Sequence, residues 1–225
     1  MKEKIILFTR VPKEGTTKTR LYDFMSPTEA VNIQKKLLKK NYDLLAETNR
    51  ELLVCHDGNS SDDKEMAELI SCDKFYYQKG DNLGDKMYNA LEEVISDSKV
   101  ILLGSDIFNL DKDIIEEAFE KLETHDVVIN PSEDGGYFLI GMKKAIKEVF
   151  DLPSYGDSSV LENLIKVLEK NNLTYYLGRA ALDIDIKEDL LYAETGYKNI
   201  KLLGAGEYNI NFTFDEDNMK KVLRL

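Results

Sequence analysis

The sequence predicts an α/β fold with a mostly parallel sheet and helices on both of its faces. Segments such as residues 5–8 and 100–103 are continuously apolar, which is typical of strands buried on both faces. Amphipathic segments of helical period separate these apolar runs. Such alternation of strands and helices is typical of βαβ units and of a parallel sheet.

Each predicted element has a local pattern of its own. Ser26, Pro27 and Glu29 form a strong helix start, with a capping serine, a proline in the first turn and a glutamate three residues after the cap. The predicted strands cover residues 4–9, 52–55, 75–77, 100–103, 126–129 and 173–177, and a further apolar run covers 138–141. The predicted helices cover residues 26–48, 63–70, a segment opening within 78–87 and ending near 95, 110–122 and 158–170, and a closing helix begins at 187.

Composition and charge limit the class of protein. The chain has 225 residues, 43% of them hydrophobic and 32% charged, as expected for a soluble globular protein. Its net charge of −12 argues against nucleic-acid or anionic-membrane binding as the main activity. No run approaches the roughly 18 apolar residues of a membrane span. The amino terminus lacks a secretory pattern, and Cys55 and Cys72 have no metal-ligand spacing, so we expect a cytoplasmic protein.

A basic loop follows the first predicted strand. Lysine and arginine complement phosphate oxygens, and a glycine lets the backbone approach a ligand. The spacing of a Walker A loop is absent. The loop is therefore a candidate anion site, with a solvated basic loop as the alternative, and its cations and glycine are Arg10, Lys13, Gly15, Lys18 and Arg20.

Asp106 lies just beyond the carboxyl end of the apolar run at 100–103, where open α/β sheets bind their ligands. A carboxylate at this place could hold Mg²⁺ together with substrate phosphates, because this ion prefers oxygen ligands. The alternative is that Asp106 caps the helix or turn that follows. Asp183 and Asp185 are two further acids, which lie on one face if their segment is extended.

Two glycine-containing loops carry other candidate groups. Gly80, Gly84 and Lys86 lie at a predicted helix start, where backbone N–H groups or the lysine could meet a ligand, although the glycines equally fit a plain turn. The second loop precedes the apolar run at 138–141 and fits either a ligand loop or a Gly-Gly hairpin turn. Its residues are Glu133, Asp134, Gly135, Gly136 and Tyr137.

Taken together, these motifs resemble a bacterial family of the nucleotide-diphospho-sugar transferase superfamily, the arsenosugar-biosynthesis-type glycosyltransferases. That family is similar to the molybdopterin and phospholactate nucleotidyltransferases. The resemblance covers about residues 3–195 and implies a fold of the glycosyltransferase-A type. It rests on five segments in a consistent order, at residues 10–21, 81–87, 103–106, 131–137 and 183–190.

The resemblance also implies roles for single residues. Asp106 would bind Mg²⁺ or Mn²⁺, with Asp183 or Asp185 as the second carboxylate. Asp134 could orient or deprotonate an acceptor hydroxyl, a role for which Glu133 competes. The first loop would hold the diphosphate, through Arg10, Gly15, Lys18 and Arg20. The segment that contains Gly80, Gly84 and Lys86 would lie near the nucleobase. The third loop would line the sugar or acceptor side, through Asp134, Gly135, Gly136 and Tyr137.

From this resemblance we expect a metal-dependent glycosyltransferase that uses a nucleotide-diphospho-sugar donor and a small-molecule acceptor. One alternative is a nucleotidyltransferase that joins an NTP to a phosphorylated small metabolite and releases pyrophosphate. A non-catalytic nucleotide-binding module is the other alternative. The same loop, carboxylate and fold could serve each of these functions.

The last segment, residues 196–225, differs in pattern from residues 1–195, which we expect to form the transferase-like domain. Strand-like runs alternate there with a glycine loop at 204–206 and an acidic turn at 215–218. The segment resembles the opening of an aminoglycoside or choline kinase-like lobe, where a glycine-rich loop covers ATP phosphates. We expect it to be the truncated start of such a domain, with a β appendage on the main domain as the alternative.

Overall fold

The computed structural model describes residues 1–195. The predicted β-rich tail at 196–225, with its resemblance to a kinase-like lobe, lies outside the described residues. The helices are α1 (Pro27–Ala46), α2 (Asp63–Ile70), α3 (Leu83–Val94), α4 (Lys112–Lys121), α5 (Val160–Lys170) and α6 (Lys187–Thr195). The strands are β1 (Lys2–Thr9), β2 (Glu51–His56), β3 (Phe75–Tyr77), β4 (Ser98–Gly104), β5 (Val127–Pro131), β6 (Tyr137–Met142) and β7 (Tyr175–Leu177).

The seven strands form one sheet in the order β3-β2-β1-β4-β6-β5-β7. All neighbouring pairs are parallel except those of β6, which is antiparallel to both β4 and β5. A tight turn joins β5 to β6, and within it the Ser132 N–H donates to the Gly136 carbonyl at 3.1 Å. The loop around Gly135 is thus a hairpin turn, one of its two predicted interpretations, and the mostly parallel sheet is confirmed.

Helices cover both faces of this sheet, as predicted, and alternate residues of each central strand face opposite cores. In β4, Ile101 and Leu103 pack with the helices α1, α2 and α4, whereas Val100 and Leu102 pack with α3 and α5. This two-sided burial explains why the central strands are continuously apolar rather than alternating. No helix in the described part of the chain is long and apolar enough to cross a membrane.

The helix ends follow the predicted caps with small shifts. The Ser26 hydroxyl accepts from the Glu29 N–H, and the Glu29 carboxylate accepts from the Ser26 N–H, so the predicted capping box is confirmed. Helix α1 ends at Ala46, two residues before the predicted end. Helix α4 is capped by Asp111, whose carboxylate accepts from the Ile114 N–H at 2.9 Å. The alternative that Asp106 caps the following helix is therefore wrong.

The topology brings three of the predicted site segments together at the carboxyl ends of β1 and β4. Strands β1 and β4 are parallel neighbours, so the basic loop after β1 and Asp106 after β4 leave the sheet side by side. The acidic segment at 183–185 joins them, because Ile107 and Asp183 form an isolated antiparallel bridge. A third apolar cluster, which includes Leu21, Leu37 and Ile184, packs the basic loop, α1 and this segment together.

Candidate active site

The basic loop is held in shape by its own hydrogen bonds. The Thr17 hydroxyl accepts from the Lys13 N–H at 3.0 Å and donates to the Val11 carbonyl at 3.3 Å, and the Thr17 N–H donates to the Lys13 carbonyl at 3.1 Å. Thr17 is buried. Gly15 has a φ of +82° and donates its N–H to the Tyr22 hydroxyl at 2.8 Å. The loop thus has a defined shape, while most of its residues, including Arg10 and Arg20, are exposed.

The turn after β2 fixes the basic loop from outside. The Asp57 carboxylate accepts from the Val11 N–H at 2.8 Å, and the buried Asp62 carboxylate pairs with the Lys13 ammonium. Gly58 packs closely between them, since a Cβ there would lie 2.3 Å from Asp62 Oδ2 and 2.6 Å from Val11 Cγ2 and would displace these side chains. These anchoring residues were not predicted from the sequence, because an acidic turn after a strand carries no sign of its distant partner.

Lys18 is the central cation of the site. Its backbone is left-handed, with a φ of 51°, and its side chain is only 3% exposed. The ammonium lies 2.7 Å from Asp106 Oδ2 and 3.5 Å from Asp185 Oδ1. Arg20 donates to the other oxygen of Asp185 at 2.9 Å. A left-handed non-glycine residue and a buried charge both cost free energy, and such features concentrate at functional sites.

Lys18 and Asp106 each stabilise the charged form of the other. Burial alone would lower the pKa of Lys18, but the carboxylates of Asp106 and Asp185 outweigh burial and raise it. Burial likewise opposes ionisation of Asp106, and the charge and hydrogen bond of Lys18 nevertheless hold the pKa of Asp106 below its usual value. Both groups are therefore charged at neutral pH.

A buried polar network supports the backbone on which Asp106 sits. The Ser105 hydroxyl is 2.7 Å from the Thr9 hydroxyl and accepts from the Gln34 side-chain amide at 2.9 Å. The Asn41 amide donates to the carbonyls of Ser105 and Ile107 at 3.0 and 2.9 Å. The sequence does carry a signal for this network, since Gln34 and Asn41 are polar residues seven positions apart on the apolar face of α1.

Asp183 is the carboxylate of the site whose negative charge is least offset by nearby cations. Burial, followed by the charges of Asp106 and Asp134, raises the pKa of Asp183 to about 7. Asp134 itself is engaged in the hairpin turn, where its Oδ1 accepts from the Ser132 hydroxyl at 2.5 Å and the Gly136 N–H at 3.0 Å. The acids predicted from the sequence are thus brought within electrostatic reach of one another, with a shortage of positive charge around Asp183.

A cavity of about 310 Å³ opens over the ion pairs of Lys18 and Arg20 with Asp106 and Asp185. Within the described part of the chain, Asp183 and Asp134 are not among its lining residues. Three of its lining residues are the cations predicted to bind phosphate, and two are carboxylates predicted to bind metal. The described residues that line it are Arg10, Thr16, Thr17, Lys18, Thr19, Arg20, Gln34, Asp106 and Asp185.

Several predicted binding residues do not line this cavity in the described part of the chain. A Cβ on Gly84 would lie 2.1 Å from the Phe150 carbonyl oxygen, so close packing of α3 requires glycine there. The Tyr137 hydroxyl lies 3.8 Å from the Met87 sulfur. Gly135 is pressed against the segment before α5, where a Cβ would lie 2.4 Å from the Ser158 carbonyl oxygen. For these residues, and for Gly80, Lys86 and Gly136, contact with a ligand stays a prediction.

The family described as "Uncharacterized protein conserved in bacteria (DUF2064)" matches residues 40–157. The chain belongs to this family. A 2-phospho-L-lactate guanylyltransferase of Methanocaldococcus jannaschii is 30% identical to this DUF2064 chain over 200 residues, which cover 84% of the chain and 81% of the relative.

Solved structures show the same fold. A candidate nucleotide-diphospho-sugar transferase from Desulfovibrio desulfuricans G20 matches with a TM-score of 0.81 and 27% identity, covering 88% of this chain and 89% of that one. A Mycobacterium tuberculosis protein in complex with manganese matches with a TM-score of 0.52 and 12% identity, covering 86% and 98%. The predicted fold class is confirmed, as are the likeness to phospholactate nucleotidyltransferases and the assignment as a transferase.

The donor set of this DUF2064 chain can accommodate a divalent cation. Within residues 1–195, no group of three or more His, Cys, Asp or Glu side chains is arranged to hold a metal ion. Mg²⁺ in phosphate-transferring enzymes is commonly held by only one or two carboxylates together with substrate phosphates. Asp106 and Asp183 lie close enough for their charges to interact, and burial together with the charges of Asp106 and Asp134 raises the pKa of Asp183 to about 7. The residues therefore fit a hard cation that arrives with a phosphorylated ligand.

Proposed function

We propose that the chain is a nucleotidyltransferase that transfers a guanylyl group from GTP to a small phosphorylated carboxylic acid such as 2-phospho-L-lactate. The observation that carries this proposal is the cluster of Arg10, Lys18 and Arg20 against Asp106 and Asp185, at the adjoining ends of β1 and β4. The relative from M. jannaschii, whose name states this reaction, supports the choice of donor and acceptor.

The charge of the acceptor favours this function over glycosyl transfer, the function first expected from the sequence. Transfer of a sugar to a hydroxyl calls for a group that accepts the hydroxyl proton. Oδ1 of Asp134, the predicted base, already accepts two hydrogen bonds inside its own turn, which leaves its Oδ2 and the competing Glu133 as the groups that could accept this proton. A phosphate acceptor is already an anion at neutral pH, since its second pKa is about 6. It can attack without a base.

In the proposed reaction, a phosphate oxygen of the acceptor forms a bond to the α-phosphorus of GTP. The bond between the α-phosphorus and the bridging oxygen to the β-phosphorus breaks, and pyrophosphate leaves with that electron pair. Arg10, Lys18 and Arg20 would hold the triphosphate and offset the charge on the leaving group. Mg²⁺ or Mn²⁺, held by Asp106 and Asp183, would supply further charge neutralisation on the phosphate oxygens.

The remaining residues of the site position these groups. Asp185 would orient Arg20 through its ion pair, and Asp57 and Thr17 would keep the loop in the shape that points Lys18 inward. Pre-organisation of this kind reduces the reorganisation needed when the transition state forms.

The experiment that tests the proposal measures two products in parallel. The purified chain is incubated with Mg²⁺, each of the four NTPs and 2-phospho-L-lactate, and pyrophosphate is assayed. In separate reactions it is given nucleotide sugars, and nucleoside diphosphate is assayed. We expect acceptor-dependent pyrophosphate release that is fastest with GTP. Nucleoside diphosphate release from a sugar donor without pyrophosphate release would instead establish the glycosyltransferase.

A further inference from the structure

We propose that Lys18 is an internal counter-cation that keeps divalent metal out of the carboxylate site until a nucleoside triphosphate arrives. The inference rests on the proposed function, because it takes triphosphate oxygens as the second binding partner of Lys18. It predicts that metal and nucleotide occupy this site together, and that metal alone binds weakly.

The geometry places the ammonium on one of the two carboxylate oxygens of Asp106 that a metal could use. Lys18 Nζ lies 2.7 Å from Asp106 Oδ2. The same ammonium lies 3.5 Å from Asp185 Oδ1, so one cation serves both carboxylates. A metal on Oδ2 would lie within a few ångströms of this positive charge.

The environment makes this competition strong. The Lys18 side chain is 3% exposed, so water and salt screen its charge poorly. A divalent ion that binds alone must therefore overcome repulsion or displace the ammonium from Asp106, which leaves this buried charge only its longer contact with Asp185 and is costly.

A triphosphate removes this cost, because its oxygens offer Lys18 a new charge-assisted hydrogen bond while the metal binds Asp106 and Asp183. Arg20, whose side chain is 60% exposed, stays on Asp185 and keeps that acid compensated during the exchange. Because coupling between two ligands is reciprocal, metal also tightens nucleotide binding by the same factor.

The test measures Mn²⁺ binding without nucleotide, by the electron paramagnetic resonance signal of free Mn²⁺, in the wild type and in Lys18→Met. We expect the variant to bind Mn²⁺ at least ~10-fold more tightly, since a unit charge a few ångströms from the ion is gone. Lys35→Met is the matched control, because Lys35 pairs with Glu65 on the surface at 2.8 Å, and it should bind like the wild type. Equal or weaker Mn²⁺ binding by Lys18→Met overturns the inference.

Two further measurements keep the outcome interpretable. The double variant Lys18→Met with Asp106→Asn should lose the gain, which assigns it to this site, and a retained gain contradicts the inference. If Lys18→Met does not fold, Lys18→Gln takes its place, with the same expectation. Mn²⁺ binding needs no turnover, so the two proposals fail separately. If Lys18→Met binds Mn²⁺ more tightly but the wild type releases no pyrophosphate, only the proposed reaction is rejected. If the wild type catalyses the transfer but Lys18→Met binds Mn²⁺ no more tightly, only the role of Lys18 is rejected.

Discussion

Replacing Asp183 with asparagine should make the protein more stable at alkaline pH in the absence of divalent ions. Burial and the charges of Asp106 and Asp134 raise the pKa of Asp183 from the ordinary 3.8 to about 7 in the folded protein. The folded state therefore binds this proton more tightly than the unfolded state does. Stability from the protonated carboxyl is complete below about pH 4 and is lost as the pH rises past 7.

The size of the effect follows from the same pKa. Each pKa unit corresponds to ~1.4 kcal/mol, so ionising Asp183 in the folded protein costs at most ~4 kcal/mol. Because the side chain is only partly buried, we expect ~2–4 kcal/mol at pH 8. Asparagine has no proton to lose and does not bear this cost. At pH 5 the wild-type carboxyl is mostly protonated in the folded state, so the two proteins should differ less.

Urea unfolding at pH 5 and pH 8 with EDTA measures this difference as the free energy of unfolding. Asp23→Asn, on the exposed surface, serves as the matched control and should change little at either pH. The reasoning is refuted if Asp183→Asn is no more stable than the wild type at pH 8. It is also refuted if the gain is the same at both pH values.

Three other predictions concern the loop and the packing beneath it. Arg20→Ala should weaken binding of GDP more than binding of guanosine in a calorimetric titration. The control Arg179→Ala removes an arginine that pairs with Asp111 and should change neither affinity. An equal loss of affinity for both ligands in Arg20→Ala would argue against a phosphate role. Thr17→Val should raise the KM for GTP about 10-fold by removing the hydroxyl that closes the loop, worth ~1–2 kcal/mol. An effect as large in Thr124→Val, at an exposed position after α4, would contradict this. Gly84→Ala should lower the free energy of unfolding by ~1–3 kcal/mol, because its Cβ would lie 2.1 Å from the Phe150 carbonyl oxygen, and unchanged urea unfolding would contradict the tight packing.

Much of the fold could be predicted because its signals are local. The apolar runs of β1 and β4 and the capping box of Ser26 and Glu29 each depend on neighbouring residues alone. The reversed direction of β6 could not be predicted, since a strand buried on both faces is apolar whichever way it runs. The glycines before β6 allowed both a ligand loop and a hairpin turn, and only the pairing of β5 with β6 distinguishes them.

The candidate site was predicted in its members but not in its contacts. Lys18 and Asp106 could be named from their positions after strands, but their ion pair joins residues 88 positions apart. The anchoring of the loop by Asp57 and Asp62 likewise depends on the tertiary structure. Gly84 suggested a ligand contact because glycine at a helix start allows one, whereas the space around it shows that packing alone already requires glycine.

The measurement that tests the central claim most directly is the rate of pyrophosphate release from GTP and 2-phospho-L-lactate in wild type and Asp106→Asn. Circular dichroism and the melting temperature serve as controls that the variant is folded. The account predicts acceptor-dependent release by the wild type and a loss of at least ~100-fold in the folded variant, the size typical of a lost electrostatic contact to reacting phosphates. Undiminished release by Asp106→Asn would contradict the account, because the reaction would then take place without the carboxylate around which the site is built.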